Sequence, residues 1–400
     1  MRVAVAWASA GWLVFAMGTV ACSGDDDGGP AAPRLGGGCD AAQAAECLVD
    51  QHACEIVSGG PECFGCAPGM RAERDGTCVA IEGTPLQHRF ADFTTMPGEE
   101  ILGLCQSWTL QNEEDLYVTG VELMQGGMSH HSNWLWVPDS LYEGEDGVWP
   151  CEERGYSQTS AVIAGGGVVY AQSTQALREV QQFPPGSAVR IPARARIISG
   201  VHVLNVGSEP VTSHIELTLY SVPREQISVV LAPFHLDLRE LDIQPRTTTR
   251  GYGECDLGRE FRNFHGREPH FVWYWGLPHT HMLASRFFVQ AMGGPRDGEY
   301  LIDLRGFDGE AHGITFDPPL DLEGVTGFRF GCEWENPRSE SVEWGFGDQE
   351  MCEMLGFMDE EFAFESTVRV PELQAPEGDM AVFKGAECHT LLIPWASRQE

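Results

Sequence analysis

The sequence predicts an all-β fold with two tandem antiparallel β-sandwiches, preceded by a small disulfide-rich module. From Phe90 onward, short runs rich in Val, Ile, Leu and Tyr are separated by turns of Gly, Pro and Asn. No amphipathic helix of convincing length interrupts these runs, and their spacing is typical of antiparallel sandwiches. In the first half of this region the predicted strands lie within 118–124, 161–170, 195–206 and 214–222.

The boundary between the two sandwiches is predicted at Pro223-Arg224-Glu225, which follows a finished strand. The pattern restarts at 227–238 and continues through 271–275, 287–292 and 328–332. We therefore expect one sandwich at 90–224 and a second at 225–400. A chain of 400 residues is long enough for two to three domains.

Composition excludes some classes of partner. The chain has 25 basic and 59 acidic residues and a formal net charge of −34, which argues against nucleic acid and anionic lipid as partners. Thirteen cysteines and 47 glycines indicate an oxidising compartment and many turns.

The N-terminus indicates export. Arg2 precedes an uncharged apolar segment at 3–21 that ends in small residues, so we predict a signal peptide at 1–21. Gly18-Thr19-Val20-Ala21-Cys22 resembles a bacterial lipobox, with Thr19 where leucine is usual. This resemblance implies lipidation of Cys22 and a location in the bacterial cell envelope, as an outer-membrane lipoprotein facing the periplasm or the surface. The lipid would then be the protein's only membrane contact. An ordinary secretory signal and an uncleaved anchor helix are the alternatives.

A tether and a compact module follow. Residues 22–38 are rich in Gly, Pro and Asp and predict a flexible tether. Six cysteines lie within 39–80, which predicts a disulfide-stapled module of the growth-factor-like sort whose pairing the sequence leaves open. Cys63-Phe64-Gly65-Cys66 could hold metal or do redox work, but in an exported six-cysteine module the structural role is favoured.

Histidines and one methionine carry the strongest chemical signal. His279 and His281 stand two apart in a predicted strand, so their imidazoles face the same side, as two ligands of one metal would. The other members of the set are His130, His131, His202 and Met351. Five imidazoles and a thioether favour copper, because imidazole suits this metal and a thioether selects its reduced state.

Each member of this set also has an ordinary alternative. The His-x-His pair could be merely exposed, His202 could be a core histidine and Met351 a core methionine. Adjacent residues of a regular strand face opposite ways, so His130 and His131 can bind one metal only if the backbone turns there or they use different ring nitrogens.

The order His130-His131, His202, His279-Thr280-His281, then Asp348-Gln349-Glu350-Met351-Cys352 resembles the copper type II, ascorbate-dependent monooxygenases. This family includes the peptide-amidating monooxygenases and dopamine β-monooxygenase. The resemblance extends roughly from Phe90 to the end of the chain and implies tandem jelly-roll-like domains. It also implies the disulfides Cys105–Cys151, Cys332–Cys352 and Cys255–Cys388. Residues 132–135 lack the further cysteine that many relatives carry there.

The resemblance implies two copper ions per chain. His130, His131 and His202 would hold the electron-supplying copper, whereas His279, His281 and Met351 would hold the copper that binds O2 and would be the catalytic residues. Ascorbate or another one-electron donor would be the co-substrate.

We therefore expect a monooxygenase that hydroxylates a C–H bond of a small molecule. A non-catalytic, copper-binding surface lipoprotein is the alternative, and a structural or adhesive sandwich pair is a third. Leu277, Glu353 and Leu355 depart from the peptide-amidating branch, which argues against a glycine-extended peptide. The Trp273, Trp275 and Leu277 neighbourhood suggests an apolar or aromatic substrate, unless these side chains are core.

Overall fold

The computed structural model describes residues 33–127, 129–173, 176–306, 311–345 and 347–395, with the backbone alone at 129–131 and 370. The predicted signal peptide, Cys22 and the first part of the tether lie outside these residues. Strands dominate the described chain, and the fold is all-β as predicted. No helix within the described ranges is long and apolar enough to cross a membrane.

The six-cysteine module is held together mainly by disulfides. It contains α1 (Ala41–Leu48), β1 (His52–Val57), β2 (Gly60–Gly65), β3 (Met70–Ala72) and β4 (Cys78–Ala80). The disulfides are Cys39–Cys54, Cys47–Cys63 and Cys66–Cys78. Cys63 and Cys66 are thus bonded to different partners, in agreement with a structural role.

A buried carboxylate anchors this module on the first sandwich. Glu122 is 3 % exposed and accepts hydrogen bonds from the backbone N–H of Gly69 at 3.1 Å and from Arg178 Nε at 2.6 Å. The hydroxyl of Tyr220 donates to the same carboxylate at 2.7 Å. Bonds to an ionised acceptor are stronger than neutral ones, so the module is fixed to the sandwich.

The first sandwich packs a five-stranded sheet on a six-stranded sheet. Its strands are β5 (Thr84–Arg89), β6 (Phe93–Thr95), β7 (Glu100–Thr109), β8 (Leu116–Gln125), β9 (Ser129–Val137), β10 (Gly147–Pro150), β11 (Gly167–Ala171), β12 (Arg178–Gln182), β13 (Ser187–Ile191), β14 (Arg196–Leu204), β15 (Val211–Ser213), β16 (Ile215–Val222) and β17 (Val229–Val230). The sheet orders are β10-β7-β14-β9-β11 and β17-β13-β8-β16-β5, and β12 also pairs with β8. Inward side chains of both sheets, such as Val121, Ile197 and Leu217, fill one core.

The predicted strand at 161–170 is wrong in its first part, where the chain forms the helix α2 (Gln158–Ile163). The side chains and backbone N–H groups of Ser157 and Ser160 exchange hydrogen bonds, so the first turn is capped reciprocally. Such capping overrides the strand preference of Val and Ile. Gly165, at φ 105°, then turns the chain into β11.

The second sandwich is a ten-stranded sheet folded over its own core. Its elements are β18 (Ala232–Leu238), β19 (Asp242–Ile243), β20 (Thr247–Asp256), α3 (Leu257–His265), β21 (Val272–Thr280), β22 (Ala284–Met292), β23 (Tyr300–Arg305), β24 (Ile314–Asp321), β25 (Gly327–Asn336), β26 (Val342–Glu343), β27 (Cys352–Asp359), β28 (Phe362–Leu373) and β29 (Ala381–Pro394). The sheet order is β23-β22-β25-β20-β29-β28-β18-β27-β21-β24. Phe287 and Phe330 from one end pack with Trp273 and Phe364 from the other. Most pairings are antiparallel, but β13–β17, β18–β28 and β20–β29 are parallel.

Short segments from beyond the boundary predicted at 224/225 pack on the first sandwich. Strand β17 lies beyond this boundary yet pairs with β13. Trp395, near the end of the described chain, packs in the first core, and its Nε1–H donates to the carbonyl of Leu231 at 2.9 Å. A buried cluster joins the two sandwiches and includes Phe183, Val189, Leu231, Trp275, Leu277 and Phe357. The interface is therefore an apolar core of its own.

Disulfides staple both sandwiches with the pairing that the family resemblance implies. Cys105–Cys151 ties β7 to the short turn after β10. Cys255–Cys388 joins β20 to β29, and Cys332–Cys352 joins β25 to the start of β27.

Replacing Glu122 by Leu should release the module and lower the free energy of unfolding by about 3 kcal/mol, because Arg178 keeps its mostly buried position without its partner. Urea denaturation measures this loss. Glu113→Leu, at an exposed position, is the control and should change the free energy by less than about 0.5 kcal/mol. Equal stability of the two variants would contradict the anchoring role.

Candidate metal centre

His279 and His281 lie together at the end of β21, where this strand pairs with β27. Both are buried, at 7 % and 9 % exposure, so the alternative of an exposed His-x-His pair is wrong. Their ring centroids are 5.2 Å apart and the rings are nearly perpendicular. Two imidazoles that each place a nitrogen about 2 Å from one metal ion have centroids roughly 5 Å apart. The pair therefore fits a shared metal ion.

Hydrogen bonds fix which nitrogen each ring presents. His281 Nδ1–H donates to the carbonyl of Gln349 at 2.8 Å, because a carbonyl can only accept. His279 Nδ1 is hydrogen-bonded to Ser173 Oγ at 2.9 Å. A metal bound by either ring would therefore be bound through Nε2, in the arrangement that orients most histidine ligands. Burial lowers the pKa of His281, which keeps the ring in the neutral form that a metal requires.

The hydroxyl of Ser173 comes from the first sandwich, just after β11, whereas His279 belongs to the second. Both residues are buried, so this hydrogen bond crosses the interface between the sandwiches out of contact with bulk solvent. The orientation of His279 therefore depends on how the two sandwiches meet.

Met351 lies beside the histidine pair. Antiparallel pairing sets Thr280 opposite Cys352, which Met351 directly precedes, and Met351 lines the same cavity as His279. The Met351 side chain is 4 % exposed, and the neighbouring disulfide Cys332–Cys352 fixes its backbone. Two imidazoles and a thioether are a donor set that suits copper.

Glu350 holds the two segments together, a role that sequence reasoning missed. This carboxylate is 1 % exposed and accepts from the backbone N–H of His281 at 3.0 Å and of Leu283 at 2.7 Å. Trp334 Nε1–H donates to it at 3.2 Å. Burial raises the pKa of Glu350 to about 7, although the hydrogen bonds from Leu283 and His281 act in the opposite direction. The only sequence signal for this role is a carboxylate beside the candidate ligand in Glu350-Met351-Cys352.

The first candidate set, His130, His131 and His202, lies on β9 and β14. His131 is directly opposite His202 in the ladder, and the next pairing joins Val203 to Ser129, so His130 is an extra, bulged residue. A bulge is the local turn of the backbone that His130 and His131 need in order to face one metal. The side chains of His130 and His131 lie outside the description.

His202 is oriented by a carboxylate. Its Nε2 lies 2.7 Å from Glu100 Oε1, so a metal bound by this ring would be bound through Nδ1. Burial lowers the pKa of His202, Glu100 raises it, and the charge of His281 lowers it further. A charge on His281 would thus be close enough to His202 to affect its pKa.

In the part of the chain that the structure describes, no group of three or more His, Cys, Asp or Glu side chains is placed to hold a metal ion. The second candidate set, His279, His281 and Met351, contains only two histidines and a methionine. The first set includes two histidines whose side chains are not described. The copper prediction therefore depends on the donor chemistry set out above.

A cavity of about 370 Å³ opens between the sandwiches beside His279 and Met351. Helix α2 and strands β9 and β11 form one side, and β18, β27, β28 and β29 form the other. Trp273, Trp275 and Leu277 lie in buried clusters and are not among the residues that line it, which agrees with the alternative that these side chains are core. The apolar wall instead comes from Phe234, Leu355, Phe364, Leu391 and Ile393.

The charged wall of this cavity was also missed from sequence. His235 Nε2 lies 3.3 Å from Glu353 Oε2. Burial opposes its charge, but the hydrogen bond to Glu353 raises the pKa of His235 above its ordinary value. Arg239 is bonded to the buried Asp237 and stacks over the Trp344 ring at 4.3 Å. The positive groups of this wall are therefore already paired.

Protein-family models gave no match to this chain, and neither did the curated proteins. Among solved structures, the PBSX exported protein XepA matches with a TM-score of 0.19 and 7 % identity, over 77 % of this chain and 98 % of its own. The major capsid protein P2 from bacteriophage PM2 matches with 0.26 and 12 %, over 69 % and 98 %. A triple jelly-roll structure from an archaeal virus matches with 0.21 and 7 %, over 76 % and 67 %. Scores of this size carry no argument about function.

Ser173→Ala should weaken copper binding by the second set by roughly tenfold or more, because the hydroxyl that orients His279 is lost. Competition titration with a Cu(I) chelator measures this affinity. Ser173→Thr keeps the hydroxyl and should bind as the unmodified protein does. Equal affinity of the alanine variant would show that the hydrogen bond does not orient a ligand.

Glu350→Ala should lower the free energy of unfolding by about 3 kcal/mol, because it leaves two backbone N–H groups and the indole N–H of Trp334 buried without an acceptor. Urea denaturation provides the measurement, with Glu335→Ala at an exposed position of β25 as control. A loss no larger than that of the control would mean that Glu350 does not hold this turn.

Proposed function

We propose that this chain is a copper-dependent monooxygenase that hydroxylates a substrate C–H bond with O2 and two electrons from ascorbate or a similar one-electron donor. The reaction converts C–H, O2, two electrons and two protons into C–OH and water. The supporting observation is that His279, His281 and Met351 gather at the end of one strand pair, beside a cavity large enough for a small molecule. Bound copper would supply the O2 and one-electron chemistry.

In the second set, the protein would contribute by holding the histidine rings in fixed orientations. His279 and His281 present Nε2 because their Nδ1 atoms are hydrogen-bonded to Ser173 and Gln349. Two imidazoles and one weak thioether leave coordination positions open. The cavity would hold the substrate with its reactive C–H group near His279 and Met351, and its apolar wall would exclude water.

The first set, His130, His131 and His202, is proposed to hold the electron-supplying copper. Glu100 would orient His202 so that Nδ1 faces the metal. Export and lipidation of Cys22 remain proposals from the sequence, as does the cell-envelope location.

Met351→Ile tests the catalytic role of the thioether. The side chain stays apolar and of similar size, so the cost in stability should be about 1.5 kcal/mol or less. We expect a folded protein that still binds two copper ions but loses nearly all ascorbate-coupled hydroxylation. Oxygen consumption with and without a copper chelator measures the enzymatic part, and metal analysis gives the copper count.

The matched control is Met282→Ile, since Met282 adjoins the histidine pair but is 83 % exposed. This variant should keep full activity. Retained oxygen consumption in Met351→Ile would remove Met351 from the ligand set. Copper binding without oxygen consumption in the unmodified protein would favour the non-catalytic copper-binding lipoprotein instead.

A further inference from the structure

The cavity between the sandwiches has a buried end and an exposed end. His279 and Met351 line it and are both buried, so the candidate metal ligands mark its buried end. Ile163 and Leu391 also line it, but these residues are 61 % and 45 % exposed. Exposed lining residues lie where a cavity meets solvent. The cavity therefore opens beside Ile163 and Leu391, and its long direction runs from this opening to the candidate ligands.

The opening has one apolar lip from each sandwich. Ile163 is the last residue of α2, whereas Leu391 lies on β29 and is held by the pairing of this strand with β28. Ser157 and Ser160 cap the start of α2, and Ala161 packs in a buried cluster of the first sandwich. Both lips thus belong to fixed elements, as in ligand sites that are formed before the ligand binds.

The rest of the cavity wall is mainly apolar. Its apolar side chains come from both sandwiches and include Leu135, Val168, Phe234, Phe364 and Ile393. Single exposed apolar side chains are ordinary on a protein surface, but two that line one opening of an apolar cavity point to a ligand site. A compact molecule at the buried end would leave both lips in water. A longer apolar chain would cover them, and each CH2 group so buried adds about fourfold to the affinity.

We infer that the cavity takes an elongated apolar molecule with an alkyl chain, which enters between Ile163 and Leu391 and is hydroxylated at or near its leading end. The leading end reaches His279 and Met351, while the trailing end lies between the lips. The step is the one proposed above, in which C–H, O2, two electrons from the one-electron donor and two protons give C–OH and water. This inference rests on the proposed function, because it assigns a substrate class and an entry route to the same cavity.

Binding of 1-butanol, 1-hexanol and 1-octanol to the full chain freed of metal tests this inference, and saturation-transfer NMR titrations measure the dissociation constants. Affinity should rise about fourfold for each added CH2 group, because each group moves from water to an apolar wall. Ile163→Ser and Leu391→Ser should each weaken binding of 1-octanol at least threefold and leave 1-butanol unchanged, since only the longer chain reaches the lips.

The control is Leu373→Ser, since Leu373 is 71 % exposed and is not among the residues that line the cavity. This variant should bind all three alcohols as the unmodified protein does, and circular dichroism checks that each variant is folded. Affinity that does not rise with chain length, or failure of all three alcohols to bind, would overturn the inference. So would lip variants that bind 1-octanol normally, or that weaken 1-butanol as much as 1-octanol. Because these measurements use no copper, they are independent of the oxygen-consumption test, and a failure of one is distinguishable from a failure of the other.

Discussion

The Glu350 carboxylate is the constraint on which the candidate centre depends. It accepts hydrogen bonds from backbone N–H groups of the turn after β21 and from the indole N–H of Trp334. Glu350 is also the residue directly before Met351 in the chain. A single buried acceptor thus fixes the histidine segment and the methionine segment relative to each other. Removing a carboxylate from water is costly, and several donors are needed to offset that cost. Donors on more than one side of the carboxylate fix the geometry of this turn.

The Cys332–Cys352 disulfide and the buried Trp334 side chain also fix the segment around Met351. Cys332–Cys352 binds the residue after Met351 to β25, the strand that also carries Trp334. The Trp334 side chain is buried in the second core, so its indole N–H reaches Glu350 from a fixed position. Met351 therefore lies between two anchors of different chemistry, and neither anchor depends on a metal. For the proposed copper site, this preorganisation would reduce the free-energy cost of ordering the ligands.

Much of the fold was predictable, because alternating apolar runs and turn residues determine strands locally. The exception at α2 has a local cause, since reciprocal serine caps outweigh the strand preference of the residues that follow. The candidate ligands could be found from their order along the chain, and the sandwich disulfides from the family resemblance. Ser173 and His235 could not be found in this way. Each acquires its role only when distant strands meet, and nothing in the neighbouring sequence of either residue indicates its partner.

The interface between the two sandwiches fixes the relative positions of the candidate ligands and the cavity. His279 and Met351 face the cavity, whereas His281 is close enough to His202 for the charge of one to affect the other. His202 is not among the described residues that line this cavity. For the proposed reaction, the substrate would lie beside the ligands of the catalytic metal. The buried cluster around Trp275 and Phe357, the β13–β17 pairing and Trp395 tie the sandwiches together, so core packing sets this spacing instead of a hinge.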